Sequence, residues 1–237
     1  MRVKGLLVYP YRVEQASVNF RWMCPDILAA LPIPGSTQFR ELARRLQPFD
    51  LEARTVTVDT PSNRLSDVVV TFGLQKGEIR LLFSYTGFEI QIDKLLDEHL
   101  GVIPELAQTA FSSLQEFRIV SKPGTYQLNY HAHLALDNGV AKQILREHLS
   151  QPDPFSPADG LEPDALAYRL PTGNRSDLMD ARVVLARSLL LKEGLFADFS
   201  ATYTDEPGVA TLSNTATADV LGCLGKFGLH HPSGTVK

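Results

Sequence analysis

Sulfur is scarce in this 237-residue chain, which has two cysteines, three methionines and a single tryptophan. Cys24 and Cys223 stand near opposite ends. Two thiols in a chain this long make no disulfide framework, so a reduced, cytoplasmic setting is expected. Charge of one sign is lacking too: 23 Lys and Arg face 27 Asp and Glu, for a net charge of −4. That balance argues against nucleic acid, which asks for a clustered basic surface. Long apolar runs are also missing. The opening MRVKGLLVYPYRVEQ holds only Leu6 to Pro10, too short for a signal peptide or a membrane span. No membrane association is expected. Nor does the chain contain G-x-x-x-x-G-K-[ST], G-x-G-x-x-G after a strand, H-E-x-x-H, G-x-S-x-G or C-x-x-C. With those signatures absent, no cofactor or metal is expected, and the balance tips away from an enzyme.

What is present is an internal likeness. LEARTVTVDTPSNRLSD (51–67) lies over LEPDALAYRLPTGNRSD (161–177) without a gap, sharing Leu51/Leu161, Glu52/Glu162, Pro61/Pro171, Ser66/Ser176 and Asp67/Asp177. At the same offset SVNFRW (17–22) lies over QLNYHA (127–132), with Asn19 on Asn129 and Phe20 on Tyr130. A repeat this long means a duplicated unit rather than a solenoid array.

Hydrophobic residues make up 44% of the chain and charged residues 21%, enough for an ordinary core. Residues 13–22 alternate, with Ala16, Val18, Phe20 and Trp22 on one side. Ser36 is placed to cap a helix from Thr37 to about residue 47 whose stripe is Phe39, Leu42, Ala43 and Leu46. Strands are expected at 51–59, 67–75, 78–85 and 87–92, with Lys76-Gly77 as a hairpin signal. A long helix capped by Asp93 should run to about 118, kinked at Pro104. The second half repeats the order: a strand at 125–136, a helix at 139–149 capped by Asp137 or Asn138, strands at 164–170, 180–191 and 195–204, and a helix at 209–227. Strands follow one another without intervening helices, so the expected class is α+β: duplicated strand–helix–antiparallel strands–long helix units, residues 1–120 and 121–237, with helices on one sheet face. ARVVLARSLLL carries apolar residues on both faces, which suggests a strand covered on both sides, the second side by the other half or another subunit.

Three groups of residues could carry chemistry. Asn129, His131 and His133 share one face of the 125–136 strand, where two imidazoles two apart point the same way. They are the candidate ligand-binding residues, and a metal would need a third ligand such as His99, His148 or the His230–His231 pair. The alternative is a polar sheet face, solvated or lining an interface. Arg40, Arg44 and Arg45 lie on the outer face of the first helix as a candidate anion site, interrupted by Glu41. The loop from Pro152 to Asp164 is acidic, but its prolines spoil the alternation a calcium loop requires. Asp67 and Asp177, each after Ser, read as turn formers. Neither cysteine has an activating neighbour.

YTGFEIQIDKLLDEHL (85–100) resembles a sporadically distributed family of uncharacterised bacterial proteins with a Tyr-x-Gly-aromatic strand, a helix, and then a strand with an aromatic-Asn pattern. Tyr85, Gly87 and Phe88 match the first part and LNYHAHL matches the last loosely, while SKPGTYQ stands where the family has an arginine-rich lead. The resemblance spans about residues 80–136. It implies a two-lobed α+β chain and transfers no catalytic residue. Residues 13–118 also resemble a helix-grip arrangement, which implies fold but not function.

The expectation is therefore an interaction or assembly protein, a homo-oligomer or the binder of a protein partner. The alternative is a small-molecule site between sheet and long helix, with His131 and His133 aimed into it. A third reading is phosphate or nucleic-acid binding through Arg40, Arg44 and Arg45.

Overall fold

A computed structural model describes residues 2–3, 6–23, 31–60, 64–116, 124–148, 164–173, 175–204 and 209–230. Cys24, the acidic residues of the 152–163 loop and His231 lie outside the described residues.

Three two-residue strands, β1 (Arg2–Val3), β2 (Leu6–Leu7) and β3 (Tyr9–Pro10), precede the long β4 (Arg12–Met23). Then come α1 (Thr37–Leu46), β5 (Val56–Asp59), β6 (Val69–Leu74), β7 (Ile79–Ser84), β8 (Gly87–Ile92) and α2 (Asp97–Glu116). The second half supplies β9 (Thr125–Ala135), α3 (Val140–Glu147), β10 (Ala165–Arg169), β11 (Leu178–Arg187), β12 (Gly194–Thr204), α4 (Val209–Lys226) and β13 (Leu229–His230). Nine strands form one antiparallel sheet in the order β10-β11-β12-β9-β4-β8-β7-β6-β5. The α+β class with antiparallel strands and four helices packed on the sheet is thus the fold of the chain. Both halves share a single sheet, because β4 and β9 pair along their whole length, from Arg12 opposite Ala135 to Met23 opposite Thr125.

Alternation decides which face is covered. In β4, Ala16, Val18, Phe20 and Trp22 are buried while the residues between them are not. Period-two patterning places such a set on one side of the sheet. All four helices lie on that side. Trp22 meets Phe111 of α2 edge-on at 5.4 Å, and Phe72 of β6 stacks on Phe39 of α1 at 5.6 Å. Tyr203 of β12 donates to Asp219 of α4 at 3.0 Å, and Tyr168 of β10 donates to the His148 carbonyl just after α3. Between sheet and helices sits one continuous core, in which Trp22, Phe20, Phe72, Phe83, Phe88, Tyr126 and Tyr203 are the largest enclosed side chains. At about 25 cal/mol per Å² of apolar surface removed from water, these aromatics dominate the burial.

Local signals explain most boundaries. Ser36 caps α1 by accepting from the Phe39 N–H at 3.0 Å. Lys76 and Gly77, at φ 58° and 89°, turn β6 into β7. Three expectations need correction. Asp93 does not cap α2, because its carboxylate is drawn 2.5 Å from Arg80 across the β7–β8 pair. The residue before α3 is Gly139 at φ 79°, rather than Asp137 or Asn138. β11 ends at Arg187, and Ser188 folds the following leucines into a turn by accepting from the N–H groups of Leu190 and Leu191 at 3.2 and 3.0 Å. ARVVLARSLLL is therefore no strand covered on both sides: within β11 burial alternates, and Leu189 and Leu190 leave the sheet with 98% and 63% of their surface exposed.

The internal likeness meets the sheet in two different ways. Asn19 and Asn129, aligned by sequence, are direct partners across β4 and β9. Over 51–67 the agreement fails. β5 is the fifth strand outward from the centre of the sheet, but β10, its sequence counterpart, is the fourth. Asp67 accordingly precedes the fourth strand out and Asp177 the third. The sheet does not show the duplication that the sequence match suggests there.

Candidate interaction surface

The face of the sheet opposite the helices carries no helix among the described residues. Its surface is built by the outward positions of the central strands: Ser17, Asn19 and Arg21 on β4, Gln127, Asn129, His131 and His133 on β9, Glu89 and Gln91 on β8, and Phe196, Asp198, Ser200 and Thr202 on β12. Cross-strand pairing orders them into rows. The middle row runs Arg182–Ser200–Asn129–Asn19–Gln91–Arg80. Next to it on one side runs Val184–Asp198–His131–Ser17, and on the other Thr202–Gln127–Arg21–Glu89–Leu82.

Counting outward from the Asn19–Asn129 pair, the two directions match. Two residues along β4 lies Arg21, and its β8 neighbour Glu89 stands 3.8 Å away. Two residues along β9 lies His131, and its β12 neighbour Asp198 stands 3.3 Å away. Third from the centre on either side stand Arg80 and Arg182 in one row, and Leu82 and Val184 in the flanking rows.

Glu89 is the best-ordered polar group on this surface. Its carboxylate accepts from Asn19 Nδ2 at 2.6 Å and from Gln91 Nε2, with Arg21 nearby. Holding Asn19 by its nitrogen leaves Asn19 Oδ1 shielded from solvent without a donor. A desolvated carbonyl with no partner costs about 1–3 kcal/mol. His133 is held otherwise: its Nδ1 lies 2.8 Å from Ser188 Oγ, and both imidazoles rest against the Phe196 ring, at 5.0 Å for His133 and 6.0 Å for His131. The Ser188 hydroxyl oxygen already accepts two backbone N–H groups. Its two lone pairs are taken up by the turn and its O–H is left for His133 Nδ1, so the Ser188–His133 contact is a brace and not an activated nucleophile.

Asn129, His131 and His133 do share a face, as expected, but that face looks away from α2 and α4. They line no space between sheet and long helix. Among the described residues no group of three His, Cys, Asp or Glu side chains is placed to hold a metal. His99 is buried at the start of α2, 3.3 Å from Glu78, and the His148 ring packs edge-on against Phe227. Both stand on other parts of the fold from the β9 imidazoles.

Arg40, Arg44 and Arg45 lie on α1. Glu41 takes Arg44 at 2.7 Å and Arg45 at 3.0 Å, Arg45 also reaches Glu116 of α2, and Arg40 contacts the Thr37 hydroxyl at 3.4 Å. The hydrogen bonds from both guanidinium groups pull the Glu41 carboxyl down to about 2. Those bonds occupy donors that an anion would take.

A second polar cluster fastens α4. Arg175 binds Asp177 at 2.6 Å and Asp219 at 2.7 Å, and Asp219 also accepts from Tyr203. Burial, then the Asp219 carboxylate, pushes the Tyr203 phenol up. Hydrogen bonds from Arg175 hold Asp177 below the usual carboxylate range. Asp177 is thus more than a turn former. Cys223 lies on the inner side of α4 as a buried free thiol, pushed up to about 11 by burial. That is the reverse of an activated cysteine.

Sequence reasoning missed Glu89, Gln91, Asp198 and Ser200. Their signal was present: FEIQI and FADFS alternate, and their polar members mark the open side. No helix among the described residues is long and apolar enough to cross a membrane.

No family model and no curated protein matches this chain. Among solved structures it is similar to a rolling circle replication initiator protein from Geobacillus stearothermophilus, at 9% identity and a TM-score of 0.32, over 91% of this chain and 84% of that one. At that level the likeness transfers neither fold nor activity.

Proposed function

We propose that this is a non-catalytic, cytoplasmic interaction protein that docks a partner protein on the open face of its sheet. One observation carries the reading: four helices cover one face of a nine-stranded sheet, and the other presents a broad polar surface of ordered amide, hydroxyl and ion-paired side chains. Antiparallel sheets tolerate a solvated face. The buried, unactivated Cys223 and the structural use of Ser188 support a protein without nucleophilic chemistry at these positions. Membership of the two-lobed family is part of the same proposal, on Tyr85, Gly87 and Phe88.

Site-specific photo-cross-linking in cells tests it. A photoreactive residue replacing Gln127, on the open face, is expected to form an adduct with a protein. The same residue replacing Arg44, on α1, is not. Adducts from α1 and none from the open face would overturn the reading.

A further inference from the structure

We infer that the partner is a second copy of this chain, packed open face to open face; the inference rests on the docking reading above. Three properties of the surface point this way. The first is its chemistry. Asn19, Asn129, Gln91, Gln127, Ser17, Ser200 and Thr202 fill the central rows. Amides and hydroxyls both donate and accept, so a surface made of them can hydrogen-bond to another copy of itself. A surface of one charge sign could not.

The second is charge. The cationic and anionic groups of the face are matched within the chain, Arg21 with Glu89, Arg80 with Asp93 and Arg169 with Asp180, and Asp198 lies against the His131 imidazole. Arg182, and Asp59 on the edge strand β5, have no ion pair among the described residues. Two such faces meet without like-charge repulsion, which otherwise costs several kcal/mol.

The third is size and symmetry. Six central strands at about 4.8 Å spacing, with about 20 Å of length common to all six, give roughly 600 Å² of surface. A standard interface covers about 800 Å² per partner. A two-fold dimer uses the same patch on both subunits, so the patch must complement itself. The matched order outward from Asn19 and Asn129 gives both sides of the patch the same sequence: an amide, a basic or imidazole side chain beside a carboxylate, an arginine and an aliphatic residue.

Analytical ultracentrifugation of the full chain tests the inference. The expected result is a species of twice the 26.2 kDa chain mass that dissociates on dilution. Ser200→Arg, in the central row, should raise the dimer dissociation constant at least tenfold with an unchanged circular dichroism spectrum. Should Ser200→Arg fail to fold, Gln127→Arg probes the neighbouring row and carries the same expectation. A monomer at every concentration up to about 100 μM overturns the inference, as does a dimer that neither substitution weakens. The docking reading fails separately. A monomer that still cross-links a different protein through position 127 leaves docking intact and removes only the second copy.

Discussion

Asn19 and Asn129 face each other at the centre of the β4–β9 pair, and the polar groups of the open face are laid out in matched order on either side of them. The two sides are not equal in strength. Glu89 accepts from two amide donors, has Arg21 at 3.8 Å and is mostly enclosed, whereas Asp198 meets His131 with both side chains substantially exposed. Exposed pairs contribute under about 1 kcal/mol, while stripping a half-buried hub of its acceptor costs about 1–3 kcal/mol. Glu89→Ala should therefore lower stability in urea by more than Asp198→Ala. Equal losses would show that enclosure does not set the difference.

Gly87 explains the glycine of the Tyr-x-Gly-aromatic strand. Its φ is +149°, and a Cβ there would come within 2.0 Å of the Trp22 carbonyl oxygen. Gly87→Ala must push β8 off β4 beneath the Trp22–Phe88 stack. It is expected to cost about 3 kcal/mol or more. Gly101, within α2, has nothing within 4 Å of its Cβ position. Gly101→Ala should be neutral or stabilising by up to about 1 kcal/mol. Thermal melts of both variants check the contrast.

Acid should loosen α1 through Glu41. Its folded carboxyl lies at about 2 against an ordinary 4.5. A lowered folded value means that ionised Glu41 supports the fold at neutral pH and that the support is lost as pH falls from about 4.5 towards 2. Amide protection in α1, taken relative to the intrinsic exchange rate at each pH, should fall over that window in the parent protein. Glu41→Gln should show exchange faster by up to about fivefold already at pH 7 and little further change. An α1 protected alike in both at pH 7 would contradict this.

Asp219 ties α4 to both Arg175 and Tyr203. Asp219→Ala leaves the Tyr203 hydroxyl without its acceptor and Arg175 with Asp177 alone. The expected loss is about 1–3 kcal/mol, with amide exchange rising first in α4. Because Asp219 lies on α4, on the covered side of the sheet, the substitution should leave the association constant of the dimer unchanged. Weakened association would place α4 at the interface and count against the open face.

Much of this fold was legible from residue patterns. The alternation of Ala16, Val18, Phe20 and Trp22 marked the covered face, and Ser36 marked the start of α1. What stayed hidden depended on partners distant in sequence. Asp93 looks like a helix cap until β7 brings Arg80 beside it. ARSLLL extends a strand by hydropathy, but the Ser188 hydroxyl turns the chain after Arg187. His131 and His133 were recognisable as a pair on one face. Which face that was depended on where the helices packed, and a single strand does not encode that. The likeness of 51–67 to 161–177 follows local sequence, while strand order follows how many strands each half inserts before its long helix.

Hydroxyl-radical footprinting of the protein, purified and in intact cells, tests the central claim most directly. His131 and Phe196 on the open face should be protected as concentration rises through the dimer range, and Leu221, 42% exposed on α4, should be modified at a constant rate. Equal, concentration-independent modification of His131 and Phe196 in both settings would mean that nothing covers the open face, and the account would be wrong.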